Sequence, residues 1–262
     1  MKKVLIAVII SITLIIAGAI VCSISLYQIG FDFKKLSTGT WSAKSFEVTE
    51  DFHSLSVRGV TEDVILSRSE DEKCHVDCYD HDKVIYDVHT ENDTLLILID
   101  DQSQWFEHIG FFMESPRITV SLPHDTYDSF RAELVTGDVS CSGIRFDGDL
   151  EFSAVTGDVL LRDSACRNLH SECGTGDLHL TRVVASGSMN IKRNTGDVYF
   201  DACDAASLVI ETNTGDVEGT LCSGKDFSAN TTTGSIDLPA DTEGGTCQIT
   251  TATGDIDIRI TD

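Results

Sequence analysis

Six aspartates, Asp138, Asp158, Asp177, Asp197, Asp216 and Asp255, each follow a Thr-Gly pair at near-constant spacing. Stacked in register, their carboxylates would stand about 5 Å apart, and like charges so close either raise a pKa or recruit a cation. Calcium, which prefers oxygen ligands, is the metal such a column would take. The competing role is architectural: Gly supplies a positive φ, and Thr and Asp side chains bond local backbone groups to make a turn. Calcium-binding β-rolls use a much shorter Gly-Asp repeat, which favours the turn.

Other residue groups invite chemistry. Cys74-His75-Val76-Asp77-Cys78, followed by His81, Asp82 and His89, offers zinc-ligand types, but a strand would put Cys74, Val76 and Cys78 on one face and His75 and Asp77 on the other. Cys203 and Cys222 both lie seven residues after a corner glycine, at 196 and 215, so equal coils would stack them within disulfide range. Trp105, Phe106, Phe111 and Phe112 bracket Gly110 in an acidic segment and suit either a partner contact or a lid over an open core. No Gly-x-Ser-x-Gly, phosphate loop or dinucleotide fingerprint is present, and the eight histidines do not recur with the repeat. The sequence calls for no cofactor.

The elements that must position these residues are legible from the repeat itself. With Thr233-Gly234-Ser235 filling the remaining slot, the corner glycines are spaced 20, 19, 20, 19, 19 and 20 residues apart. Two and four residues after each glycine the positions are mostly apolar, as at Val198 and Phe200; before it, the apolar positions are seven and five back, as at Met189 and Ile191. Odd offsets before and even offsets after require a parity switch at Thr-Gly-Asp, which a corner provides and a straight strand does not. Each unit therefore reads as strand, Gly corner, strand and return turn. One unit cannot bury its own apolar face, so the units must stack. The expectation is an all-β chain: a β-solenoid of about seven coils of 19–20 residues over 130–262, preceded by an irregular β part over 45–129 that belongs to the same domain. A sandwich of regularly spaced hairpins is the alternative.

Val4 to Ile29 carries no charge and is long enough for one membrane helix, so residues 1–30 read as an anchor and 31–44 as a linker. Lys2 and Lys3 would hold the N-terminus inside and place the rest outside the cytoplasm, at the cell membrane. A cleaved signal peptide, with Ala17-Gly18-Ala19 as the small-residue site, puts the domain on the same side. Nineteen Lys+Arg against 43 Asp+Glu give a net charge of −24, and two of those lysines precede the apolar run. Such a field excludes nucleic acid as a partner and favours cations and basic proteins. At 41% apolar residues with 3 Pro, the chain can bury a core without disulfides, although nine cysteines are present.

The membrane segment, the strand region ending in Ile118-Thr119-Val120-Ser121-Leu122-Pro123 and the recurrent Thr-Gly-Asp-Val turns together resemble the bacterial adhesin-like β-strand-repeat family of unknown function. They also resemble the membrane protein encoded in some Gram-positive envelope-stress operons. That resemblance covers roughly residues 45 to 260, implies a β-solenoid at the cell envelope, and brings no catalytic residues with it. The resulting expectation is a single-pass, non-catalytic envelope protein presenting an acidic surface to a protein or cell-surface partner. A membrane-tethered regulator of an envelope-stress system is the alternative. A calcium-dependent polysaccharide lyase is a third reading, by analogy of fold alone.

Overall fold

The computed structural model describes residues 2–28, 30, 41–81, 84–101, 116–240 and 243–261. The chain divides into two compact units, residues 1–40 with 103–114, and residues 41–102 with 115–262. In the first, Lys2–Gln28 forms a single α-helix. Its stretch Ile10–Gln28 has a mean hydropathy of 2.2 and is long and apolar enough to cross a membrane, a test that a signal sequence also passes.

The second unit is a β-solenoid. Its first strands are β1 (Trp41–Val48), β2 (Ser54–Gly59), β3 (Asp63–Arg68), β4 (Cys74–His81), β5 (Val84–Glu91), β6 (Thr94–Asp101) and β7 (Arg117–Leu122). From Ser129 on, each coil contributes one strand before its corner glycine and one after it. The strands after the corners form one parallel sheet and those before the corners form another. The parity switch is present as expected. Leu169, Ser171 and Cys173 point inward before Gly176, and Leu178 and Leu180 point inward after it. Identical positions stack in columns, such as Leu150, Leu169, Met189 and Leu208, so the core runs the length of the solenoid.

The corner demands glycine for two reasons. Gly196 has φ 148°, which L side chains rarely adopt, and a Cβ there would lie 2.1 Å from the carbonyl oxygen of Gly176 in the coil below.

At both ends the spatial order of coils departs from the chain order. Near the N-terminal end, β2 and β3 lie between the pair β6 and β7 and the first Thr-Gly-Asp coil. There β4 pairs antiparallel to β7, β1 antiparallel to β4, and β5 antiparallel to β6, which closes that end with irregular strands. At the other end, Gly245–Thr253 and Ile256–Ile260 insert between the coil of Gly215 and the coil of Gly234. The corner order is thus 196, 215, 254, 234. Ser235 does not interrupt the aspartate column; it terminates it.

Candidate interaction surface

The aspartate column forms a continuous hydrogen-bonded ladder. The Asp158 N–H donates to Asp138 Oδ1 at 2.8 Å, Asp177 N–H to Asp158 at 2.8 Å, Asp197 N–H to Asp177 at 2.8 Å, and Asp216 N–H to Asp197 at 2.8 Å. Asp255 N–H continues it to Asp216 at 2.7 Å. Below, Asp138 N–H donates to Asp63, so the degenerate corner at Val60 to Val64 is the ladder's first rung. Each carboxylate satisfies a backbone donor that the corner would otherwise leave unbonded. At the top, Ser235 donates to Asp255 Oδ1 through both its N–H and its Oγ, and these bonds hold the Asp255 carboxyl below the usual carboxylate range. A terminal corner has no following N–H to accept, which is why serine suffices there.

A second column, three residues before the glycines, was not singled out in the sequence. Thr212 Oγ1 donates to Gly196 O at 3.3 Å, Thr251 Oγ1 to Gly215 O at 3.3 Å, and Cys173 Sγ to Gly157 O at 3.4 Å, so these inward polar side chains bond the corner carbonyls. Arg193 shares this column and lies in the core, donating to Ser171 Oγ at 2.9 Å and Lys192 O at 3.3 Å, with Nε unbonded. Burial lowers its pKa.

Cys74 and Cys78 are buried beside Val76, whereas His75 turns outward to Asp71 at 2.9 Å. Among the described residues no group of three or more His, Cys, Asp or Glu is arranged to hold a metal. The described cysteines are free thiols. Burial pushes Cys74, Cys141, Cys166 and Cys247 up to about 12 and Cys203 up to about 11, which suppresses thiolate chemistry.

The equal-offset stacking of Cys203 on Cys222 does not hold. Phe200 pairs with Gly219 but Cys203 pairs with Leu221, because the coil after Gly215 is one residue shorter: the left-handed residue six after the corner, Gly143, Asp163, Arg182 and Ala202 in the coils before it, has no counterpart there. Cys203 consequently points into the core while Cys222 is exposed, its N–H bonded to Cys203 O. Trp105, Phe106, Phe111 and Phe112 lie outside the described residues.

The outer face of the sheet that follows the corners grades along the solenoid axis. Ile65, Ser140, Leu160, His179, Tyr199, Glu218, Asp257 and Asp237 occupy one outward column, in that spatial order. The His179 and Tyr199 rings stack at 4.7 Å, 7° from parallel. The Tyr199 hydroxyl donates to Asp197 Oδ2 at 2.9 Å, which pushes the phenol pKa up to about 12 and keeps it protonated. With His179 covering one side of Tyr199, the next coil brings Glu218 up on the other. A depression of about 320 Å³ there is lined by Tyr199, Glu218, Gly219, Asp257 and Arg259. Arg259 is neutralised by Asp257 at 2.9 Å, and Glu218 and Asp237 leave the site acidic. An aromatic ring edged by carboxylates attracts ammonium or guanidinium groups.

Comparison with known proteins supports the fold. The family model described as Toastrack DUF4097 matches residues 52–262. A putative adhesin from Bacteroides fragilis is 18% identical with a TM-score of 0.51, the match covering 84% of this chain and 97% of that one. A putative adhesin from Parabacteroides distasonis is 13% identical with a TM-score of 0.44, covering 84% of this chain and 98% of that one. No curated protein matches the sequence. With the match spanning nearly the whole β-solenoid, the chain belongs to the Toastrack DUF4097 family.

Proposed function

We propose that this protein is a non-catalytic, adhesin-like module of the cell envelope that binds a basic protein partner through the acidic outer column of its solenoid. In this reading residues 1–30 anchor the chain, 31–44 link it to the domain, 45–129 form the irregular part of the solenoid and 130–262 its repeats, all beyond residue 30 lying outside the cytoplasm. The observation that carries the reading is the column from Tyr199 through Glu218 and Asp257 to Asp237, where ring face and carboxylates converge on solvent. The ladder aspartates are already engaged with backbone N–H groups, and the buried thiols are raised in pKa, so neither set supplies reactive groups. The segment around Trp105 and Phe106 is the second proposed contact.

Affinity purification of the full chain from detergent, with crosslinking, tests the proposal. A basic envelope protein is expected, its binding falling steeply once added salt brings the Debye length below about 8 Å. Glu218→Gln with Asp257→Asn should weaken it about tenfold, the scale of a lost charge pair of about 1.4 kcal/mol. Replacing Trp105 and Phe106 by Ala should reduce binding with thermal stability retained. Depolymerisation of an acidic polysaccharide that requires calcium and stops on chelation would overturn the non-catalytic reading.

A further inference from the structure

The terminal coil, Lys225–Thr233 with Ile236–Asp237, is paired on one side only among the described residues. Its inward side chains show the consequence. In the coil beneath, Cys247, Ile249 and Ile258 are at most 2% exposed, whereas Phe227, Ala229 and Leu238 above them are only half-buried, and Ile236 is 46% exposed. The core therefore ends open, beside a free strand edge.

Thr233 O accepts from Gly254 N–H in the coil beneath. The alternation of backbone groups breaks at Thr232, which is skipped in the register, and before that break the residues at even offsets from the corner bond the coil beneath, as Ser54 N–H does to Asp93 O; Phe227, Ala229 and Thr231 therefore direct their backbone groups to the free edge. Edges meant to stay free carry charges, prolines or bulges. Here Phe227 to Ile236 contains no charge, no proline and no shift of register, in a chain of net charge −24.

We propose that two copies of this chain join through this end, strand Lys225–Thr233 pairing antiparallel with its twofold mate. Charge selects a second copy as the occupant. Two bodies this acidic repel each other over most of their surface, and the uncharged stretch Phe227 to Ile236 is where they can approach. A basic foreign partner would gain nothing from it. Geometry sets the stoichiometry: the opposite end is closed by antiparallel strands β1 and β5, which carry Lys44, Glu47, Asp87 and Glu91, so head-to-tail growth is blocked and the twofold contact closes at a dimer. Pairing centred on Ala229 also sets each Asp226 opposite Thr232 of the other copy, so no carboxylates are opposed.

Sedimentation equilibrium of the full chain in density-matched detergent tests this. The wild type should have twice the 28.5 kDa protomer mass at micromolar concentration. Ala229→Pro, which removes a donor from the free edge alone, should halve that mass with the strand circular dichroism unchanged. Should that chain fail to fold, Ser228→Lys with Thr232→Lys, both at exposed positions, carries the same test. A wild-type protomer, or a dimer that survives these substitutions, would overturn the proposal.

Discussion

Replacing Val198 by Asp should prevent stable folding. Val198 is fully buried, stacked between Leu178 below and Val217 above. A carboxylate there meets only aliphatic neighbours in its column and finds no donor, a cost of several kcal/mol. Set against a typical net stability of about 5–15 kcal/mol, that loss leaves a marginal or unfolded chain. Its neighbour Asp197 faces solvent in the ladder and accepts from Asp216 N–H and the Tyr199 hydroxyl, so Asp197→Ala should cost about 1–3 kcal/mol. Urea denaturation of both variants checks the assignment. Equal losses would mean that the inward and outward faces are exchanged.

Lys225→Ala is expected to have the second-largest effect. Lys225 is 2% exposed and donates to Asp204 and to Ser223 Oγ, while Ser223 Oγ and Ala205 N–H donate to the same Asp204 oxygen. Lys225 stands directly above Gly245 and Asp204 belongs to the coil beneath that, so the absence of a side chain at Gly245 lets the lysine span two coils. It thereby ties the inserted coil into place. Removing one partner of such a pair costs about 3–5 kcal/mol. Burial acts to raise the Asp204 pKa, yet the bonds from Lys225 and Ser223 outweigh it and lower the value below the usual carboxylate range. The stabilisation is therefore present above the unfolded-state carboxylate pKa and is lost as pH falls through the depressed folded value. Thermal melts should show this acid-side loss in the wild type, and a weaker one in Lys225→Ala. An unchanged acid limb would remove Asp204 from the account.

The repeat made most of this architecture legible. A glycine every 19–20 residues, with apolar offsets that change parity across it, specifies a corner and assigns each flanking side chain to core or solvent. The order of the coils was not legible, because every unit offers the same apolar columns and each could stack on any other. Only the odd corner, Ser235, carried a hint of where the stack ends. The register of Cys203 was hidden for a different reason. Counting from Gly196 and Gly215 assumes equal arcs, whereas the coil after Gly215 omits the left-handed residue that Asp163, Arg182 and Ala202 supply in the coils before it, an omission that no residue type announces. Arg193 escaped notice because a lone arginine reads as solvated, although its offset from Gly196 matches that of Thr212 from Gly215 and marks an inward position. The acidic outer column is legible from the repeat itself, since Tyr199, Glu218, Asp237 and Asp257 all lie three residues after a corner glycine whichever of the last two coils comes first.

The ladder's end and the open edge both rest on that inverted order, which engineered disulfides test directly. In a chain with Cys22 and Cys222 replaced by Ser, Glu218→Cys is combined either with Asp257→Cys or with Asp237→Cys. Outward residues directly opposite on neighbouring coils have Cα atoms about 4.8 Å apart, within disulfide range, whereas those two coils apart are out of reach. The account predicts that the 218/257 pair forms an intrachain disulfide on mild oxidation and the 218/237 pair does not. An intrachain bond between 218 and 237, with none between 218 and 257, would show that the coils stack in chain order and would contradict it.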